Sequence, residues 1–169
     1  MSLIYSTGDW LVHTFYGVGQ VLGLDEKEMD GEINKYLKVE TFNGIYWLSM
    51  KNISTRRVRP VSAKSTFKNS LSAIRKKPEK MAEDFRVRAA QITTVIRDGS
   101  LIRLARLIRD LSGKFRTVRL TQTEEEYFKD AKKRFINEYS VAADLDRNAA
   151  EKKLLKALEN SASKLPKTT

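Results

Sequence analysis

The sequence predicts an α+β chain: a small, strongly bent antiparallel β-barrel followed by an all-helical half. Three observations predict it. Short runs rich in aromatic and β-branched residues, punctuated by Gly and Asp-Gly or Asn-Gly pairs, fill the first sixty positions. After Pro60 the apolar spacing changes to that of helices. The charge changes at the same place. Positions 1–60 hold seven basic and seven acidic residues, positions 61–119 hold fifteen and five, and positions 120–169 hold ten and nine.

The strands follow in order. Asp9 to Tyr16 has the aromatic and β-branched content of a half-buried pleat. Val18 to Leu24 is a second strand, with Gly17, Gly19 and Gly23 as turns or bulges. Asp30-Gly31 is a hairpin signal, Tyr36 to Phe42 a third strand, and Asn43-Gly44 a second hairpin leading into Ile45 to Leu48. Arg56 to Val61 forms a short fifth strand ended by Pro60. Five short strands in this length suit a small barrel.

The helices come next. Ser62 and Ser65 are candidate N-caps for a helix over 65–76. Pro78 fits the first turn of a second helix that runs to Arg97 and is broken by Asp98-Gly99-Ser100. Leu101, Leu104, Ala105, Ile108 and Leu111 have helical spacing, with Ser112-Gly113 as a stop. Thr121 with Glu124, or Thr123 with Glu126, makes a capping box. A last helix spans 145–160, and the tail from Ser161 to Thr169 reads as frayed. The break at 60–65 divides the chain into domains at 1–62 and 63–169.

Composition limits the function. The absence of cysteine removes disulfides and thiolate metal sites. His13, the one histidine, reads as a packing or surface residue, so neither a catalytic triad nor a zinc cluster is available. Glu124, Glu125 and Glu126 suit the electropositive start of a helix. Gly17-Val18-Gly19 opens like a dinucleotide fingerprint, but a strand follows instead of a helix. No catalytic residue, metal site or cofactor is expected, and the chain is read as no enzyme. No stretch approaches the roughly 18 apolar residues of a membrane span, and no signal peptide is visible. The chain reads as cytoplasmic, with no membrane partner.

The net charge of +11 is concentrated in the middle third, which points to a polyanion. Arg103, Arg106 and Arg109 form an arginine edge beside an apolar face, in a stretch that also holds Arg97, Lys114, Arg116 and Arg119, with Lys76, Lys77, Lys80, Arg86 and Arg88 before it. Guanidinium donates two hydrogen bonds at once to phosphate. The competing reading is a solvated helix face, or a helix lying on a membrane surface. Phe67, Phe85 and Phe115 read by default as core residues. Residues alone therefore support a polyanion-binding helical domain joined to a neutral β domain.

The order of motifs resembles the CarD/CdnL/TRCF family. Gly8-Asp9-Trp10-Leu11-Val12-His13 with Tyr16-Gly17-Val18-Gly19-Gln20-Val21 is similar to the family's opening. Asp30-Gly31, Tyr36-Leu37, Leu48-Ser49-Met50-Lys51-Asn52 and Val58-Arg59 occupy the places of later β motifs. Gly99-Ser100, Ala105 to Leu111 and Thr121 to Ala131 are similar to its helical half. The match covers about residues 5–160, and its helical half argues against a fragment of the repair helicase, which shares only the β domain.

The resemblance implies a Tudor-like β domain that binds the β-subunit lobe of RNA polymerase, in the holoenzyme with its sigma factor. It implies a helical domain that touches promoter DNA at the upstream edge of the bubble and stabilises the open complex. Lys27 and Trp47 match positions that face polymerase. A gapless count back from Gly99 puts Phe85 where the family has a tryptophan wedge, with Arg86 and Arg88 beside it. The DNA-contacting set is then Phe85, Arg86, Arg88, Arg97, Arg103 and Arg106. Phe85 departs from the family pattern, as do Ser49 and Thr14, each in place of a proline. The protein is expected to be a monomer that reaches the nucleoid through polymerase. Two alternatives stay open: a general nucleic-acid-binding or chromosome-associated protein without polymerase contact, and a nucleotide-binding module or enzyme at Gly17-Gly19.

Overall fold

The computed structural model describes residues 5–53 and 56–167. It divides into two compact units, Met1–Val61 and Ser62–Thr169.

The first unit is a five-stranded antiparallel sheet in the order β4-β3-β2-β1-β5. Its strands are β1 (Trp10–His13), β2 (Gly17–Met29), β3 (Glu32–Thr41), β4 (Gly44–Ser49) and β5 (Val58–Pro60). β4 and β5 stand at opposite ends and do not pair among the described residues, so the expected barrel is an open sheet instead. β5 has only three residues and carries Pro60, which lacks an amide donor. Leu11, Val21, Leu37, Val39, Tyr46 and Val58 make the core on one face.

β2 and β3 are longer than the sequence pattern indicates. Charged residues from Asp25 to Lys35 continue the ladder to Met29 opposite Glu32. Cross-strand pairing supplies what the apolar alternation does not. The hairpin closes on Asp30 (φ 54) and Gly31 (φ 78), the paired positive φ angles that match the right-handed strand twist. The second hairpin differs from expectation by one residue. Thr41 pairs with Gly44, so the two-residue loop is Phe42-Asn43. The Thr41 hydroxyl accepts from the Asn43 amide (3.2 Å) and donates to the Gly44 carbonyl (3.0 Å), a local side-chain turn that displaces the Asn-Gly geometry.

The second unit has five helices: α1 (Lys64–Ile74), α2 (Phe85–Asp98), α3 (Leu101–Thr117), α4 (Gln122–Ala142) and α5 (Arg147–Ala162). Phe67, Ile74, Ala105, Ile108, Phe135 and Leu154 centre one cluster. Ile92, Leu107, Leu111 and Leu120 form a second under α2. The capping box is Thr121 with Glu124, and Thr123 with Glu126 is not used. Among the described residues no helix is long and apolar enough to cross a membrane.

Three helix boundaries and the C-terminal segment differ from the sequence reading. α1 starts after Ala63, because the Ser62 amide donates to Glu138 and Ser65 lies inside the first turn. α2 starts after Asp84, whose carboxylate accepts from the Arg86 and Val87 amides, so Pro78 lies in the connecting segment. α3 runs through Ser112-Gly113 to Thr117. A Cβ on Gly113 would fall 2.8 Å from Pro78 Cγ, so glycine is there for close approach and not as a stop. The C-terminal segment is also held: Ser161 is buried and its hydroxyl donates to the Lys76 carbonyl (2.6 Å), while Lys164 donates to Arg75. Thr168 and Thr169, part of the expected frayed tail, lie outside the described residues.

Candidate partner and nucleic-acid interfaces

On the first unit, strand register builds a polar aromatic face opposite the core. Trp47 pairs with Lys38, and Asp25 pairs with Tyr36, so these four side chains lie on one side of the sheet. The Trp47 indole N–H donates to Asp25 Oδ2 at 2.6 Å, across two strands. Lys27 Nζ stands 4.3 Å from the Trp47 ring centroid, and Lys38 Nζ stands 5.9 Å from it. An ammonium over an indole face is attracted by the ring quadrupole. The indole, 42% exposed, is thus held in one orientation between a carboxylate and two lysines. β4, which carries it, is an edge strand of six residues. Its outer backbone groups have no strand partner among the described residues, the feature that strand addition uses.

The structure brings Lys27 and Trp47 together, as expected sites on one surface. Sequence reasoning missed Asp25. The two residues are twenty-two positions apart, and only the register of three strands makes them neighbours. His13 is buried, and its Nδ1 accepts from the Phe15 and Tyr16 amides, so it shapes the β1–β2 turn.

On the second unit, Phe85 is the first residue of α2 and is half exposed, at 50%. It is not a core residue, and neither is Phe115. Arg86 and Arg97 are both exposed and eleven residues apart on α2. Eleven residues return to within about 20° on a helix, so they share one stripe, ~16 Å apart along the axis. Arg103 and Arg106 line a separate depression of about 290 Å³, together with Gln91 and Val95 of α2. Gln91 and Val95 lie well round the helix from the Arg86–Arg97 stripe, so the exposed arginines form two groups instead of one row. Arg103 is also paired with Asp98 at 2.9 Å.

Two basic residues leave the expected edge altogether. Arg88 is 7% exposed; it pairs with Glu124 and donates to the carbonyls of Ala82 (2.7 Å) and Glu83 (3.0 Å). Arg88 therefore does not present its guanidinium to phosphate. It fixes the segment leading into Phe85. Arg109, 3% exposed, is held by Asp110 and by Glu79, so the arginine row ends at Arg106. Helical spacing alone did not distinguish these two from their exposed neighbours.

Glu124 does more than favour a helix start. Its carboxylate accepts from Lys114 (2.8 Å), from the Thr121 amide (2.9 Å) and from Arg88. Burial pushes its pKa up, but these donors outweigh burial and hold it at about 2. A satisfied buried network of this kind is a fixed part of the fold, not a proton donor at neutral pH.

Comparison with known proteins follows this division. The family model described as CarD-like/TRCF RID domain matches residues 5–62. The model described as CarD, C-terminal domain matches residues 69–155. A search of curated protein sequences returned no match. With one model covering the β unit and another more than half of the chain through the helical unit, the chain belongs to the CarD-like family of non-enzymatic, RNA polymerase-interacting transcription regulators.

Proposed function

We propose that this protein binds the β-subunit lobe of RNA polymerase through Trp47, Lys27 and the outer edge of β4. Its helical unit then leans Phe85, Arg86, Arg97, Arg103 and Arg106 on DNA at the upstream edge of the promoter bubble and prolongs the open complex. Binding to the holoenzyme, with its sigma factor, brings the protein to the nucleoid.

One observation carries the reading: an exposed, pre-oriented indole on an edge strand, within the segment matched by the CarD-like/TRCF RID model. An oriented aromatic loses little rotamer freedom on docking, and an open edge supplies backbone hydrogen bonds. On the helical side, Phe85 offers an apolar insert of the kind that wedges between base steps. The arginines offer sequence-tolerant phosphate contacts. Tethering to polymerase raises the effective concentration of the helical unit at one DNA position, so a weak contact suffices.

The test is capture of a polymerase β-lobe fragment by the full chain, with open-complex lifetime measured in parallel. Wild-type protein should bind the lobe and lengthen the lifetime. Tight binding to DNA without any capture of the lobe would leave a general nucleic-acid-binding protein as the better description.

A further inference from the structure

The last fifty residues are nearly charge-balanced in sequence, yet several of their acids are engaged locally. Glu124 is buried with Arg88 and Lys114, Asp130 pairs with Arg134, Glu138 accepts from the Ser62 amide, and Asp146 caps α5. Between α4 and α5 lies a cationic groove of about 460 Å³. Lys129, Lys132 and Lys133 of α4 and Arg147 of α5 line it, with Glu151 the one acid and Ile136 on its apolar wall. Lys129, Lys132, Lys133 and Ile136 follow at three- and four-residue spacing, so one stripe of α4 faces the groove. Lys132 is half-buried, with Nζ 4.2 Å from the Phe128 ring centroid. Burial pulls its pKa down; Glu151 opposes that and Lys129 adds to it. A half-buried lysine beside another lysine is the arrangement that an external anion relieves.

We propose that the α4–α5 groove is a second seat for the phosphodiester backbone of duplex DNA, with Lys129 and Lys132 as its phosphate contacts. It rests on the DNA-contacting role proposed above and adds a surface separate from Phe85 and the α2–α3 arginines. Duplex DNA is favoured over a small anion because the cations are spread along two helices instead of converging on one point. It is favoured over a lipid surface because Ile136, Leu154 and Leu155 are interleaved with four long cationic side chains and make no broad apolar face.

The experiment measures duplex binding by the full chain as a function of salt. Each lost phosphate contact lowers the log–log slope by about 0.9. Lys129→Gln/Lys132→Gln should therefore reduce the slope by about 1.8. Lys129→Arg/Lys132→Arg should keep the wild-type slope, and so should Lys77→Gln/Lys156→Gln, which removes two exposed lysines outside the groove. An unchanged slope in the Lys129→Gln/Lys132→Gln protein overturns the groove, as does an equal fall in the Lys77→Gln/Lys156→Gln control. Displacement of DNA by micromolar inorganic triphosphate, or tighter binding to phosphatidylserine vesicles than to DNA, also overturns it. Wild-type protein that binds no DNA sinks both this groove and the DNA role proposed above. A groove failure with wild-type DNA binding intact leaves that role standing.

Discussion

Replacing Glu124 by glutamine keeps the side-chain shape and removes one buried negative charge. Arg88 and Lys114 are then left with no carboxylate between them, and the Thr121 amide loses a charged acceptor. The folded carboxyl titrates at about 2 against an ordinary value of 4.5. At 1.36 kcal/mol per pH unit, that difference corresponds to about 3 kcal/mol of stability at neutral pH. Breaking a buried pair from one side typically costs about 3–5 kcal/mol, which agrees. For a unit of this size the melting temperature should fall by about 12 °C or more. Because the folded pKa lies below the unfolded one, the contribution is complete above about pH 4.5 and disappears as pH falls toward 2. The gap between wild type and Glu124→Gln should therefore be widest at neutral pH and narrow steadily below pH 4.5. Calorimetry and denaturant titration of the full chain, read by the helical signal, measure both. A loss below about 1 kcal/mol at pH 7, or a gap that widens on acidification, would refute the assigned network.

Four further outcomes are expected. Trp47→Ala should abolish capture of the polymerase lobe while moving the melting temperature little, since the indole is partly exposed; pull-down and thermal melts check this. Phe85→Ala should leave lobe capture intact and shorten the open-complex lifetime, measured by competitor challenge on promoter DNA. Arg88→Met should destabilise the helical unit by about 3 kcal/mol, by leaving Glu124 buried without one of its partners. Its DNA salt slope, measured below the melting transition, should match wild type. Gly113→Ala should lose about 1–3 kcal/mol despite better helix propensity, because the new methyl meets both Cβ and Cγ of Pro78, and Pro78→Gly in the same chain, which removes both atoms, should restore part of it.

Much of the architecture is visible in local sequence because its causes are local. The change of apolar period after Pro60, the Asp30-Gly31 turn, the Gly99-Ser100 break and the Thr121–Glu124 box each depend on residues within a few positions. The resemblance singles out Lys27 and Trp47 as candidates, and a count from Gly99 singles out Phe85.

Tertiary structure decided the rest, for reasons a linear pattern does not carry. Arg88 and Arg106 look alike in sequence; only the position of Glu124 on another helix buries one and leaves the other exposed. Gly113 reads as a helix stop until Pro78, thirty-five positions earlier, is packed against it. Asp25 becomes the anchor of Trp47 only through the register of β2, β3 and β4. The near-neutral last fifty residues present a cationic groove because the fold gathers Lys129, Lys132, Lys133 and Arg147 into one lining with Glu151 as its one acid. Electrostatics acts through space, so the chain determined how many charges there are, and the fold determined which of them a partner meets.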